Sequence, residues 1–199
     1  MATNRPAFYH SFSELPYFIR GPVKKLYWKI RYFYNKINFI EKGKYCDLGC
    51  HFRFTLNNPY RAFIDDQTAI DEFNVWSAKF GDISVGKNCW IGLHNIIIGP
   101  VEIGDKVRTG PHVSILGPHH AIHNYENRKD EKTIIGNNVW ISTGAIVLFG
   151  IQIGDSAIIG PGSVVTKNVS ANAYVAGNPA RDITNMARFT SSARKEELK

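Results

Sequence analysis

"TIIGNNVWISTGAIVLFGIQIGDSAIIGPGSVV", residues 133–165, decides the fold. Within it Ile135, Ile141, Val147, Ile153, Ile159 and Val165 return every six residues. Working outward, Val85, Ile91, Ile97, Ile103, Thr109 and Ile115 keep the same beat upstream. Eleven of these twelve are Ile or Val, although only 35 of the 199 residues are, so chance does not account for the pattern. Two residues ahead of the beat sits a second, often smaller position, filled by Cys89, Val101, Val107, Val113, Val139, Ala145, Ala157 and Ser163. Two inward positions separated by one outward residue make a very short strand. Gly, Asn and Asp cluster between the strands, in GKN, GDK, GNN and GDS, to supply the left-handed backbone angles of tight corners.

A strand and a corner every six residues describe a three-sided coil, each turn stacked about 4.8 Å above the last. A helix is excluded, because the period is not 3.6 and β-branched residues dominate. Ile64, Ile70 and Trp76 lead in with a phase slip near 80–82, and Leu48 and Phe54 open the first coil. The chain is therefore expected to be all-β, a parallel β-helix of about six coils from near residue 46 to near 177.

Between Ile115 and Ile135 the beat stops for twenty residues where six would serve, a surplus of about fourteen. His112 precedes the break, and His119, His120 and His123 lie in it. His94 and His112, eighteen apart and each three after an inward aliphatic, are expected one above the other and pointing outward. Asn95 falls on an inward position, where a buried amide needs hydrogen-bond partners, and an internal bond is the expected one.

The net charge of +7 and pI of 9.3 favour anionic partners, such as phosphate-bearing small molecules or an acidic membrane surface. No aromatic and basic interleaving occurs on the coil faces, so nucleic acid is not expected. The N-terminus carries no secretory pattern, and the longest apolar run, residues 144–151, is too short for a bilayer. Three cysteines, Cys46, Cys50 and Cys89, fit reduced thiols in a cytoplasm. Cys46 and Cys50 have no second ligand pair at finger spacing and read as packing residues, so no metal is expected.

The hexads, the break and the run "GNNVWISTGAIVLFGIQIGDSAIIGPGSVVTKNVSANAYVAGNPAR" together resemble the hexapeptide-repeat acyltransferases. Within these the chain is most similar to the sugar and polysaccharide O-acetyltransferases, including the maltose and galactoside enzymes. The resemblance implies a left-handed coil, a homotrimer, acetyl-CoA bound between neighbouring subunits, and an extended loop carrying a catalytic histidine. His120, the seventh residue after Val113, matches that histidine and is the expected general base; a one-residue gap in the count would give the role to His119 or His123. These two neighbours, with His94 and His112, are otherwise candidates for acceptor binding. Trp140, Thr143 and Pro161 match positions near the pantetheine arm, Thr166 and Lys167 the nucleotide end, and Arg181 an arginine that meets a CoA phosphate. Ser142–Thr143, Pro161 and Ala121 depart from the common pattern, which leaves the acceptor open.

Residues 23–40 place apolar and basic side chains at helical spacing. That segment is read as a cap on the coil stack, or as a basic helix resting on anionic lipid at the inner membrane face. The expected organisation is thus residues 1–45 as a basic helical segment, 46–183 as the coil domain with a loop at 116–134, and 184–199 as a short helical tail. The expected activity is acetyl transfer from acetyl-CoA to a hydroxyl of a sugar, sugar nucleotide or polysaccharide precursor. The alternatives are N-acetylation of an amine, a metalloenzyme resembling γ-class carbonic anhydrase, and a non-catalytic trimer.

Overall fold

The computed structural model describes residues 40–49, 51–56, 60–118 and 131–185. They form a three-sided parallel β-helix. The first face stacks Ile40–Lys42, Ala62–Ile64, Ile83–Val85, Val101–Ile103, Thr133–Ile135 and Gln152–Ile153. The second stacks Asp47–Leu48, Ala69–Ile70, Trp90–Ile91, Arg108–Thr109, Trp140–Ile141, Ile158–Ile159 and Tyr174–Ala176. The third stacks Arg53–Leu56, Val75–Ala78, Ile96–Ile98, Ser114–Ile115, Ile146–Val147 and Val164–Val165. Among the described residues every pairing between coils is parallel, and a single antiparallel pair, Tyr174–Ala176 with Arg181–Asp182, closes the C-terminal end.

All twelve beat residues are buried, with Thr109 the least so at 7% exposed. All eight of the smaller partners are buried as well. Inward side chains from three faces meet along one axis, and this is the core of the described residues. The stack begins earlier than the hexads suggest. Ile40, the last residue of the expected N-terminal helix, is a buried strand residue of the first coil, and Tyr45 is already one of its corners. The first two coils hide this in the sequence because their pairings are offset by 22 and 21 residues rather than 18, as in Ile40 with Ala62, Ala62 with Ile83 and Ile83 with Val101.

The same count measures the interruption. Val101 pairs with Thr133, 32 residues on, so fourteen residues more than one coil leave the stack while the coil itself continues in register. Thr133 and Ile134 belong to the next strand, so the excursion is shorter at its C-terminal end than the expected 116–134. Residues 23–39 of the expected helix and 186–199 of the expected tail lie outside the described residues.

The corners correct one expectation. Left-handed angles are not carried by the glycine that follows each beat residue. At the first corner they fall on Tyr45, Gln67, Asn88, Lys106, Asn138, Ser156 and Asn172, with φ between 56° and 60°. The following glycine is needed for space instead. A Cβ at Gly154 would lie 2.4 Å from the Ala171 nitrogen and 2.8 Å from its Cα, both backbone atoms of the next coil. Asp and Asn after these glycines staple the coils: Asn137 Oδ1 accepts the Asp105 N–H, and Asp155 Oδ1 accepts that of Asn137. Gly154→Ala is therefore expected to lower stability by at least about 1 kcal/mol, although alanine is the better residue in an unconstrained chain. A urea midpoint equal to that of the parent would contradict the steric account.

Candidate active site

At the second corner, between the second and third faces, the left-handed residues are His51, Phe73, His94 and His112, with φ of 57° to 59°. Their rings form one column. Centroids are 4.6 Å apart from His51 to Phe73, 4.9 Å to His94 and 5.1 Å to His112, and the planes are within 13° of parallel at each step. His94 and His112 are exposed and stacked, as their eighteen-residue spacing implies. His51 and Phe73 escape the sequence reading because the offsets of 22 and 21 hide their alignment.

Behind this column the core is polar. Asn95 is 1% exposed; its Oδ1 accepts the Val113 N–H at 2.7 Å and its Nδ2 donates to Thr109 Oγ1 at 2.5 Å. Thr109 Oγ1 also accepts the Gly92 N–H at 3.0 Å. Asn74, one coil below, donates to the carbonyls of Asp71 and Gly92. The internal bond expected of Asn95 is present, and it ties together the backbone beside both exposed histidines. Among the described residues no buried side-chain polar atom lacks a partner.

Thr143 and Pro161 stand at the same corner in the next two coils, next to Gly144 and Gly162. Thr166, Lys167 and Arg181 meet elsewhere, in a cleft of about 270 Å³ at the far edge of the third face, with Asn168, Ser170 and Asp182. Asp182 is held below the usual carboxylate range, first by the Thr184 hydroxyl and then by its N–H, and so stays ionised at neutral pH beside the two cations. The excursion leaves from this same edge, since Leu116 aligns with Leu148 and Thr166 in the register of the third face. Trp140 is separate from both groups. It lies 57% exposed on the second face, above Arg108 and Trp90 in register.

His119, His120 and His123 lie outside the described residues. Cys89 is buried, and desolvation pushes its thiol up from the ordinary value, which suits packing. Cys50 is outside the described residues, and Cys46 donates to the Asp65 carbonyl. Among the described residues no three His, Cys, Asp or Glu side chains gather closely enough to hold a metal, and no helix is long and apolar enough to cross a membrane.

The family described as "Bacterial transferase hexapeptide (six repeats)" matches residues 132–167, the two coils above the excursion. The same eighteen-residue register joins the two coils immediately below it. The maltose O-acetyltransferase of Clostridium difficile 630 is 30% identical, over 69% of this chain and 67% of its own, with a TM-score of 0.44. The chain belongs to the hexapeptide-repeat acyltransferase superfamily. A single-residue mutant of AntD, an N-acyltransferase from Bacillus cereus crystallised with dTDP and coenzyme A, shares the fold. It superposes with a TM-score of 0.61 at 23% identity, over 82% of this chain and 93% of its own. No curated protein matches the sequence.

Proposed function

We propose that the protein transfers an acetyl group from acetyl-CoA to a hydroxyl of a sugar, sugar nucleotide or polysaccharide precursor. The observation that carries the reading is the cleft in which Thr166, Lys167 and Arg181 converge. A guanidinium and an ammonium lining one cleft suit the phosphates of a CoA nucleotide, and Asp182 in the same lining has its Oδ1 engaged by the Thr184 N–H and hydroxyl. From there the third face leads to the corner of Thr143 and Pro161, where backbone groups would take the pantetheine amides. Acetyl-CoA supplies the activated thioester when bound. His120 would hold the proton of the attacking hydroxyl, since a neutral imidazole is the main form at pH 7. The Thr143 N–H would then stabilise the oxyanion. Trp140 would pack beside the donor.

The relatives' names divide between O- and N-acyl transfer, and the exposed His94 and His112 edges suit either a hydroxyl or an amine as hydrogen-bond partner. We assign the hydroxyl because a neutral histidine base is needed for an alcohol and is less critical for an amine already deprotonated. A homotrimer with the donor between subunits is supported by the outward apolar residues of the third face, among them Val75 and Ile96, 37% and 42% exposed. A cytoplasmic site of action, with the basic N-terminal segment against an anionic membrane, completes the proposal.

The deciding assay follows thiol release from acetyl-CoA against a panel of pyranosides, nucleotide sugars and amino sugars. Hydroxyl acceptors are expected to accelerate release. Arg181→Ala is expected to raise the KM for acetyl-CoA about tenfold, the worth of one charge-assisted phosphate contact, and to leave the KM for acetyl-3′-dephospho-CoA nearly unchanged. Acceleration by amino sugars alone would replace O-transfer with N-transfer. Release unaffected by every acceptor would end the enzymatic reading.

A further inference from the structure

We propose that the upper face of the His112 imidazole is a stacking platform for a pyranose ring of the acceptor, which occupies the place of a fifth ring in the corner column. The inference rests on the proposed sugar acetylation and says where that sugar sits.

The column is costly to build. A non-glycine residue in the left-handed region costs about 1–2 kcal/mol, and the equivalent first corner uses Asn at three of its seven positions. Four consecutive ring-bearing residues at the second corner therefore need a reason. Stacking of about 0.5–1.5 kcal/mol per pair offsets part of that cost for the rings covered on both sides. It does not explain the top of the column, where among the described residues His112 is stacked only from below.

Above His112 the column positions at this corner are Gly144 and Gly162. Hydrogen bonds run unbroken up it: His112 N–H to the Leu93 carbonyl, Gly144 N–H to that of Pro111, Gly162 N–H to that of Thr143. Among the described residues, a Cβ on Gly144 would find nothing closer than the Gly162 backbone at 4.0 Å, and one on Gly162 nothing within 4 Å. These two glycines differ in this from Gly154 and its kind, which are pressed against backbone. The notch is two coil spacings tall, about 10 Å, and a ring continuing the column at its own spacing of 5.1 Å would sit over Gly144.

The lining suits a sugar better than a flat apolar ring. One π face meets the C–H side of a pyranose, while the glycine wall leaves the ring edge free. Thr143, exposed beside Gly144, offers a hydroxyl to that edge. His112 is also held in place: the N–H of the next residue, Val113, is fixed by the buried Asn95 amide.

The test is to fill the notch by the column's own rule. Gly144 has φ +69°, and the corner already accepts histidine at φ 57° and 58° in the coils below. Gly144→His should therefore fold and supply the fifth ring itself. Saturation-transfer and chemical-shift NMR on the full chain, with methyl α-glucoside, methyl β-galactoside and methyl N-acetylglucosaminide and no CoA present, reads binding without turnover. The wild type is expected to shift ring C–H protons of at least one pyranoside upfield. His112→Ala and Gly144→His should both lose that shift, while Asn88→His, at φ 56° on the other corner, keeps it. In turnover, Gly144→His should raise the acceptor KM at least about tenfold.

Pyranoside shifts unchanged in both variants, or absent from the wild type, would overturn the platform, as would a rise confined to the acetyl-CoA KM. If Gly144→His does not fold, His112→Ala decides alone. Shifts on His112 in a protein that never turns over would refute the acetyl transfer and keep the platform; turnover whose acceptor KM ignores Gly144→His would do the reverse.

Discussion

His120→Ala is expected to lower kcat by about 10²–10⁴ while acetyl-CoA binds as before. The magnitude is that of a general base removed from an alcohol acceptor. The separation of turnover from donor binding follows from placement in the chain. His120 belongs to the excursion, whereas Thr166, Lys167 and Arg181 line a cleft made by the coil and its terminal hairpin. The coil pairs in register across the excursion as though it were absent, so a substitution in the loop leaves the core untouched. The measurement is single-turnover kinetics beside calorimetric titration of CoA. His119→Ala and His123→Ala belong in the same series. If either shows the large kcat loss and His120→Ala does not, the loop count is off and the base is the neighbour. If all three retain near-normal kcat, histidine base catalysis from this loop is wrong.

The coil is legible in the sequence because its signal is redundant. Ile135, Ile141 and Val147 each repeat the same instruction, and a strand of two or three residues between left-handed corners has little else to become. What the hexads miss lies where the repeat carries extra residues. Ile40 and Tyr45 are hidden because the first coils take 22 and 21 residues, so a six-residue count drifts out of phase before reaching them. For the same reason His94 and His112 can be paired from the sequence and His51 and Phe73 cannot. The glycines mislead for a different reason. Sequence shows that a side chain is missing; it does not show whether the backbone needed an unusual angle or the neighbouring coil needed the space. Gly154 is pressed against the backbone of the next coil, whereas Gly144 combines a left-handed φ of 69° with open space beside it. Within the site, Lys167 and Arg181 could be brought together only through resemblance, since fourteen residues and a change from parallel to antiparallel pairing separate them.

The sharpest departure from the repeat is Thr109, and it yields the last prediction. Eleven of the twelve beat positions hold Ile or Val, so repeat logic says that Thr109→Val perfects the core and stabilises the protein. The structure says the opposite. Threonine and valine have the same shape, so the substitution leaves no cavity, and only the hydroxyl is lost. That oxygen accepts the Asn95 Nδ2 at 2.5 Å and the Gly92 N–H at 3.0 Å, all within the buried axis of the coil. Gly92 keeps a second acceptor in the Thr109 carbonyl at 3.2 Å, but the Asn95 amide nitrogen loses its acceptor and at 1% exposure is shut away from water. A buried donor left dry costs about 1–3 kcal/mol. With the weakened Gly92 bond the loss should be on the order of 3 kcal/mol, seen as a lower urea midpoint at constant m. The control is the double variant Thr109→Val with Asn95→Val, which removes the stranded amide together with its acceptor. It exchanges one stranded buried donor for another, since the Val113 N–H then loses Asn95 Oδ1, and so should recover little of the loss. The stability of the double variant therefore stays close to that of Thr109→Val. A single variant more stable than the parent would mean that the coil interior tolerates an unpaired amide, and that the polar patch behind His94 and His112 is there for something other than holding that corner in shape.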